Sequence, residues 1–189
     1  MKNLEGKVVF ITGGSRGMGA AIAKRLASEG ASIAFTHTGK SQKKADAVLD
    51  ALHSKGVKAL ALITDYRKSE ALISALKAAE EKLGKIDILV NNAGVYSQTE
   101  ITDITPDEYD QVMNVNVKDV FIASQYVANQ MKSGGRIITI GSNMGDRVSF
   151  PGGSLYAMSK SALIGLTKGM ARDLGARNIT VNLIQPGPI

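Results

Sequence analysis

Apolar positions follow two alternating rhythms along this chain. Runs such as Val8-Val9-Phe10-Ile11 and Ile86-Asp87-Ile88-Leu89-Val90 are nearly continuous, the signature of strands covered on both faces. Runs of this kind predict strands over 7–12, 32–37, 57–63, 86–90, 136–140 and 180–184. Longer segments between them predict helices over 18–29, 41–55, 68–83, 106–132 and 154–175. Glycine stands at or near the end of each helix, at Gly30, Gly56, Gly84, Gly134 and Gly175, because it reaches the left-handed geometry of a C-cap at little cost. Thr105-Pro106-Asp107-Glu108 predicts a capping box with proline at the first helical position. Strand–helix alternation requires crossover connections, which give a parallel sheet covered on both faces. No repeat, linker or low-complexity stretch divides the chain, so the pattern predicts one doubly wound α/β domain.

Composition narrows the chemistry. A chain of 189 residues with 44% hydrophobic and 21% charged residues suits one globular core. The absence of cysteine excludes disulfides, thiol nucleophiles and cysteine-based zinc sites. His37 and His53 stand in no metal-ligand spacing, so no metal is expected. The opening Met1-Lys2-Asn3-Leu4-Glu5-Gly6 leads straight into a short apolar strand rather than a leader, and no apolar run approaches the roughly 18 residues of a membrane span. A cytoplasmic protein is the expectation. Lys and Arg number 23 against 17 acids, a net charge of +6. The basic residues are dispersed without interleaved aromatics, which favours a solvated surface or a phosphorylated cofactor over nucleic acid.

The first strand runs into Thr12-Gly13-Gly14-Ser15-Arg16-Gly17-Met18-Gly19, and a helix follows. In that context Gly13 allows a tight turn, Gly17 admits a pyrophosphate, and Gly19 lets helix and strand pack closely. The helix N-terminus offers free N–H groups to phosphate. An acid ending the second strand would hold a ribose 2′-hydroxyl, but Thr36-His37-Thr38-Gly39-Lys40-Ser41 has none. Arg16 and Lys40 are either solvated or ready for a 2′-phosphate, so the expected cofactor is NADP(H) in preference to NAD(H).

Tyr156 and Lys160 stand at i and i+4, on one helix face. Their stripe continues through Leu163, Thr167, Met170 and Leu174. One reading is a snorkelling lysine beside a packed tyrosine. The chemical reading is that the ammonium lowers a phenol pKa from about 10, so that Tyr156 exchanges a proton with a substrate. Ser142 follows the fifth strand at the sheet's carboxyl edge, where ligands bind. It either forms a turn or holds the substrate oxygen. Asn116 falls within the apolar stripe Tyr109, Val112, Met113, Val117, Val120 and Phe121, so its amide must find partners, in local backbone or in water leading towards Lys160. A stripe of small residues, Ala157, Ser161, Gly165 and Gly169, admits either another helix of the chain or a partner subunit.

Thr12–Gly19, Asp65, Asn91-Asn92-Ala93-Gly94, Asn116, Ser142, the Tyr156/Lys160 pair and Pro186-Gly187 occur in this order. Together they make essentially the whole chain resemble the short-chain dehydrogenase/reductase superfamily, and within it bacterial 3-oxoacyl-acyl-carrier-protein reductases and related carbonyl reductases. The resemblance implies a Rossmann fold with strand order 3-2-1-4-5-6. It implies a catalytic tetrad of Asn116, Ser142, Tyr156 and Lys160; Asn114 competes for the first place, but the spacing to Val117-Lys118-Asp119-Val120-Phe121 fits Asn116. The implied cofactor site comprises Gly13, Ser15, Arg16, Gly17, Met18 and Gly19, Thr38 near the adenosine phosphate, and Asp65 and Tyr66 flanking the adenine. It is completed by Asn92, Ala93, Gly94, Tyr156, Lys160, Pro186 and Gly187, with Ile189 at the nicotinamide carboxamide.

The implied reaction is reduction of a ketone, a 3-oxoacyl thioester or similar carbonyl, by NADPH. Ser142, Asn143 and Tyr156 contact the substrate, and Asn143, Phe150, Ser154 and Tyr96 lie on loops that select it. The implied partners are a small carbonyl or alcohol, an acyl-carrier protein, and further copies of the chain in a homodimer or homotetramer. Gly141–Arg147 and Gln185-Pro186-Gly187-Pro188 are also similar to relatives linked to biofilm dispersal. The alternative is therefore a non-catalytic regulator binding a cyclic dinucleotide, against which the complete tetrad argues. Members of the superfamily continue past Pro-Gly with a substrate lid and a last strand. Residues 1–189 are accordingly expected to be a single NADP-binding domain, truncated at its C-terminus.

Overall fold

The computed structural model describes residues 2–188. Its strands are β1 (Val8–Ile11), β2 (Ser32–His37), β3 (Ala59–Ile63), β4 (Ile88–Asn91), β5 (Arg136–Ile140) and β6 (Thr180–Ile184). All pair in parallel, in the order β3-β2-β1-β4-β5-β6, the expected doubly wound Rossmann arrangement. The order reverses between β1 and β4, and the crevice at the carboxyl ends of such strands is where this fold takes ligands. Ile11 stands in register with Phe35 on one side and Val90 on the other. The residues after all three strands therefore emerge at one edge.

The helices are α1 (Gly17–Ser28), α2 (Gln42–His53), α3 (Ser69–Leu83), α4 (Pro106–Met113), α5 (Asp119–Gln130) and α6 (Ser154–Gly175). Alternate strand residues point to opposite faces, so β1 feeds two cores. Phe10 packs with Leu76, Leu89, Val127 and Ile137 on the side of α3, α5 and α6. Ile11 packs with Ala23, Ile33, Phe35 and Leu52 on the side of α1 and α2. No helix among the described residues is long and apolar enough to cross a membrane.

Three local expectations are corrected. Gly30, Gly56, Gly84 and Gly134 have positive φ, but Gly175 remains helical and Asn178 makes the left-handed turn after α6 (φ 56°); asparagine tolerates that conformation better than most residues. The long fourth helix is divided, because residues 114–118 form a π-turn between α4 and α5. The extra residue shifts the buried face, so Val112, Val115, Asn116 and Val120 are buried while Tyr109 and Phe121 are exposed. The capping box is half formed. Thr105 Oγ1 accepts from Glu108 N at 3.2 Å, but the Glu108 carboxylate instead accepts from Ser97 Oγ (2.7 Å) and Thr99 Oγ1 (2.8 Å).

Candidate active site

The glycine loop lies directly on β2 and leaves one face open. Gly13 N donates to Thr36 Oγ1 at 3.1 Å and Gly14 N to Thr36 O at 2.9 Å. A Cβ on Gly14 would come within 2.5 Å of Phe35 Cβ, and one on Gly19 would collide with the Gly13 carbonyl and the Asn92 amide. At Gly17 (φ 53°), by contrast, a Cβ would meet nothing within 4 Å. Arg16 stands at the N-cap of α1 with no side-chain cap bond, so the helix N-terminus, its N–H groups and the open backbone at Gly17 face the same crevice. This is the form of an anion cradle, and it fits the pyrophosphate of a dinucleotide. Ser15 is buried within the loop, while Arg16, Gly17 and Met18 are exposed.

The loop is braced from β4 and from below. Thr12 Oγ1 accepts from Asn92 N and Ala93 N, each at 2.9 Å, and Asn92 Nδ2 donates to Thr12 O (2.9 Å) and Gly13 O (3.0 Å). The Asn92 amide thus holds the glycine loop. Tyr66, expected to flank an adenine, is tied to the same loop. Its hydroxyl lies 2.5 Å from Thr36 Oγ1, under the loop, and burial pushes its pKa up to about 12. Asp65 is engaged by Arg67 through Nε (2.9 Å), Nη2 (2.8 Å) and the backbone N–H (3.1 Å). Those bonds hold its carboxyl down at about 2. Thr38, Lys40 and Arg16 are exposed, and among the described residues neither cation makes an ion pair.

The second cluster lies at the ends of β4 and β5. Ser142 caps the turn Asn143–Gly145, its hydroxyl accepting from Met144 N at 3.2 Å. That turn abuts α6: Ser161 Oγ donates to Gly145 O at 2.5 Å, and a Cβ on Gly145 would lie 3.2 Å from the Lys160 carbonyl carbon. Docking at this point brings Tyr156 and Lys160 to the carboxyl edge beside Ser142. Lys160 is buried, with Nζ donating to Ile140 O at 3.0 Å and lying 5.7 Å from the Tyr156 ring centroid. Burial lowers its pKa to about 8.

Tyr156 departs from expectation. Burial raises its pKa, hydrogen bonding with Ser142 opposes that shift, and Tyr96 adds to it. Lys160 Nζ donates to the Ile140 carbonyl and stands 5.7 Å from the ring centroid, and burial of the phenol is the larger influence in the ligand-free protein. A side chain at Gly94 would reach within 3.3 Å of Asn116 Oδ1 and 3.5 Å of Lys160 Nζ, so glycine leaves both groups uncrowded. Asn143 and Gly187 meet across the crevice mouth, with Asn143 N donating to Pro186 O at 3.0 Å. Ile189 lies outside the described residues.

Asn116 is fully buried and its amide is satisfied without water. Oδ1 accepts from Val95 N (2.9 Å), and Nδ2 donates to Val95 O (2.9 Å) and Ser159 Oγ (3.0 Å). Ser159 Oγ donates in turn to Tyr156 O at 2.7 Å. The π-turn at 114–118 lets one side chain tie the loop after β4 to the catalytic-looking turn of α6, and π-turns leave helical carbonyls differently paired, a feature common at functional sites. Asn116→Ala removes three hydrogen bonds and leaves the Val95 N–H and carbonyl without these partners, while Ser159 keeps Tyr156 O. Unfolding free energy should therefore fall by about 2 kcal/mol or more, read from urea denaturation. A loss below about 1 kcal/mol would contradict this locking role.

Four bracing residues were not singled out from the sequence as site residues: Thr12, Thr36, Glu108 and Ser159. Thr12 and Thr36 had a signal, as polar residues closing otherwise apolar strands. Glu108 and Ser159 had none, since their partners are distant in sequence.

Comparison with known proteins places these features in a family. The short chain dehydrogenase family model matches residues 7–189. A cyclic-di-GMP-binding biofilm dispersal mediator protein of Escherichia coli K12 is 43% identical over 184 residues, 97% of this chain and 73% of that protein. The 3-oxoacyl-[acyl-carrier-protein] reductase of the same strain is 38% identical over 187 residues, covering 98% and 74%. Among solved structures, a short-chain dehydrogenase/reductase from Serratia marcescens superposes with TM-score 0.96 at 54% identity, covering 98% of this chain and 76% of that one. A blue fluorescent protein from a metagenomic library, in complex with NADPH, gives TM-score 0.96 at 48% identity with the same coverage.

Proposed function

Because the chain belongs to the short-chain dehydrogenase family and is an NAD(P)-dependent enzyme, we propose that it reduces a ketone to an alcohol with NADPH, using Asn116, Ser142, Tyr156 and Lys160. The observation that carries this reading is a proton-bearing phenol beside a serine hydroxyl, at the same sheet edge as the open glycine loop. NADPH, when bound, supplies a hydride to the carbonyl carbon. Ser142 holds the carbonyl oxygen, and Tyr156 gives it a proton as negative charge develops there. An alkoxide is a far stronger base than a phenolate, so a phenol whose pKa burial has raised remains an adequate donor. Lys160 stabilises the phenolate left behind and binds the nicotinamide ribose. Asn116 keeps the turn carrying Tyr156 in place.

In this reading Gly13, Ser15, Arg16, Gly17, Met18 and Gly19 hold the pyrophosphate, and Asp65 lies by the adenine. Ala93, Gly94, Pro186 and Gly187 line the nicotinamide end. Arg16, Thr38 and Lys40 receive a 2′-phosphate, since no acid at the end of β2 repels it; the NADPH complex of one structural neighbour supports that choice. Arg16→Ala should raise the NADPH dissociation constant roughly tenfold, one charge-assisted contact, while changing NADH binding about twofold or less. Fluorescence titration of both cofactors checks this, and equal losses would point to a general role in folding the loop.

NADPH oxidation with a panel of ketones, including a 3-oxoacyl thioester on acyl-carrier protein, tests the reductase reading. The E. coli relative described as binding cyclic-di-GMP favours a second reading, a nucleotide-binding regulator. Cyclic-di-GMP binding without any ketone reduction would select it. Oligomerisation is proposed through α5 and α6. Met113, Val117, Phe121 and Leu166 line an apolar hollow there, and a Cβ on Gly165 or Gly169 would meet no described atom within 4 Å.

A further inference from the structure

We propose that Tyr96 is a fixed aromatic wall of the substrate pocket and selects ketones bearing an aryl group on the carbonyl. This rests on the reductase reading above. Tyr96 is 55% exposed, yet its ring meets the Tyr156 ring edge-on, with centroids 5.0 Å apart and planes at 67°. An exposed side chain on a loop ordinarily has rotational freedom to lose on binding. This one is clamped on both flanks. Before it, Val95 is bonded through N and O to Asn116, each at 2.9 Å. After it, Ser97 and Thr99 both donate to Glu108 Oε1, at 2.7 and 2.8 Å. The Tyr96 hydroxyl donates along the loop to Gln98 Oε1 at 3.2 Å, which turns its polar end aside and leaves ring carbon beside the reacting phenol.

The opposite loop supports an apolar mouth. Gly152 packs on the same segment, where a Cβ would lie 3.3 Å from Gln98 Cγ and 3.5 Å from Thr99 N. That loop carries Val148 and Phe150, which are 50% and 40% exposed. Apolar side chains exposed on two touching loops beside a half-buried proton donor are suited to covering an apolar substituent. Preference for aryl over alkyl follows from Tyr96 itself. Ring–ring contacts add an electrostatic gain beyond the area they bury, and a ring already held in place loses little freedom when the ligand arrives.

The test compares acetophenone with 2-octanone, aryl and alkyl ketones of equal carbon number. The ratio of kcat/KM for the two should favour acetophenone and fall about tenfold in both Tyr96→Ala and Tyr96→Leu. In Tyr96→Phe, which keeps the ring, the ratio should be retained. The loss should sit mainly in KM, and binding of 1-phenylethanol to the NADP+-loaded protein, followed by saturation-transfer NMR, should weaken in parallel. The ratio is insensitive to a fraction of misfolded variant, which lowers both rates together. If both ketones are reduced and the ratio is unchanged in Tyr96→Ala and Tyr96→Leu, the aromatic wall is overturned and the reductase reading stands. If the unsubstituted protein reduces neither ketone and binds no 1-phenylethanol, the aromatic wall is overturned, and the reductase reading falls with it only if the wider ketone panel, 3-oxoacyl thioester included, is not reduced either.

Discussion

Tyr156→Phe lowers ketone reduction by about 10³-fold, within the range lost when a positioned acid is removed, while NADPH binding stays measurable. The substitution deletes one oxygen and keeps the ring that packs against Tyr96. Ser142 remains tied to Met144 N, and Lys160 remains bonded to the Ile140 carbonyl. What disappears is the phenol hydroxyl beside Ser142. Because Tyr156 holds its proton more firmly than a free phenol does, the group is a donor at neutral pH, and its loss lowers reduction and the reverse oxidation together. Stopped-flow NADPH oxidation reports the chemical step, and a cofactor titration on the same variant reports binding. Unchanged turnover would remove Tyr156 from the reaction.

Lys160→Met separates stability from function. Burial lowers the Lys160 pKa from 10.5 to about 8, so below pH 8 the folded protein carries a charge that the unfolded chain accommodates better. Between about 8 and 10.5 the unfolded chain binds more protons than the folded one, and stability attributable to this group rises with pH across that window. At neutral pH the penalty is on the order of 3 kcal/mol. Methionine removes it but also removes the bond to Ile140 O, worth on the order of 1 to 2 kcal/mol. The net expectation is a ligand-free protein more stable at pH 7 by on the order of 1 kcal/mol, with an advantage that vanishes between about pH 9 and 10 and reverses above. Turnover should fall by at least about 10²-fold. Thermal unfolding of both proteins across this pH range provides the measurement. A variant less stable than its parent at pH 7, with the same pH dependence, would show that the ammonium is not penalised by its surroundings.

The parts legible in the sequence are those whose cause is local. β2, β5 and β6 have the boundaries that their apolar runs predict, because turn residues bound each run. The glycine loop was legible because Gly13 and Gly17 take a positive φ that other residues rarely adopt, and Gly19 leaves room for the Gly13 carbonyl. The same holds for Tyr156, Lys160 and Ser142, which one helical turn and one strand end bring to a common edge. The π-turn was hidden, since Asn114-Val115-Asn116-Val117 is as compatible with an unbroken helix, and only the packing of Asn116 on Val95 and Ser159 reveals it.

The direction of a polar side chain was also beyond the sequence. Asn92 and Tyr66 sit where the family pattern places them, but their polar atoms serve the glycine loop through Gly13 O and Thr36 Oγ1. Which of several nearby acceptors captures an amide, a phenol or an ammonium depends on three-dimensional packing. For that reason the sequence could not show that Lys160, one helical turn from the phenol, donates to Ile140 O.

Transfer of label from the cofactor to the product probes the proposed reaction at its centre. The protein would be incubated with acetophenone and NADPH carrying deuterium at both C4 positions, and the product analysed by mass spectrometry. The expected product is 1-phenylethanol with one deuterium on the carbinol carbon, formed at least about 10²-fold more slowly by Tyr156→Phe. Alcohol without the label, or formed as fast by the variant, would contradict hydride transfer assisted by this tyrosine.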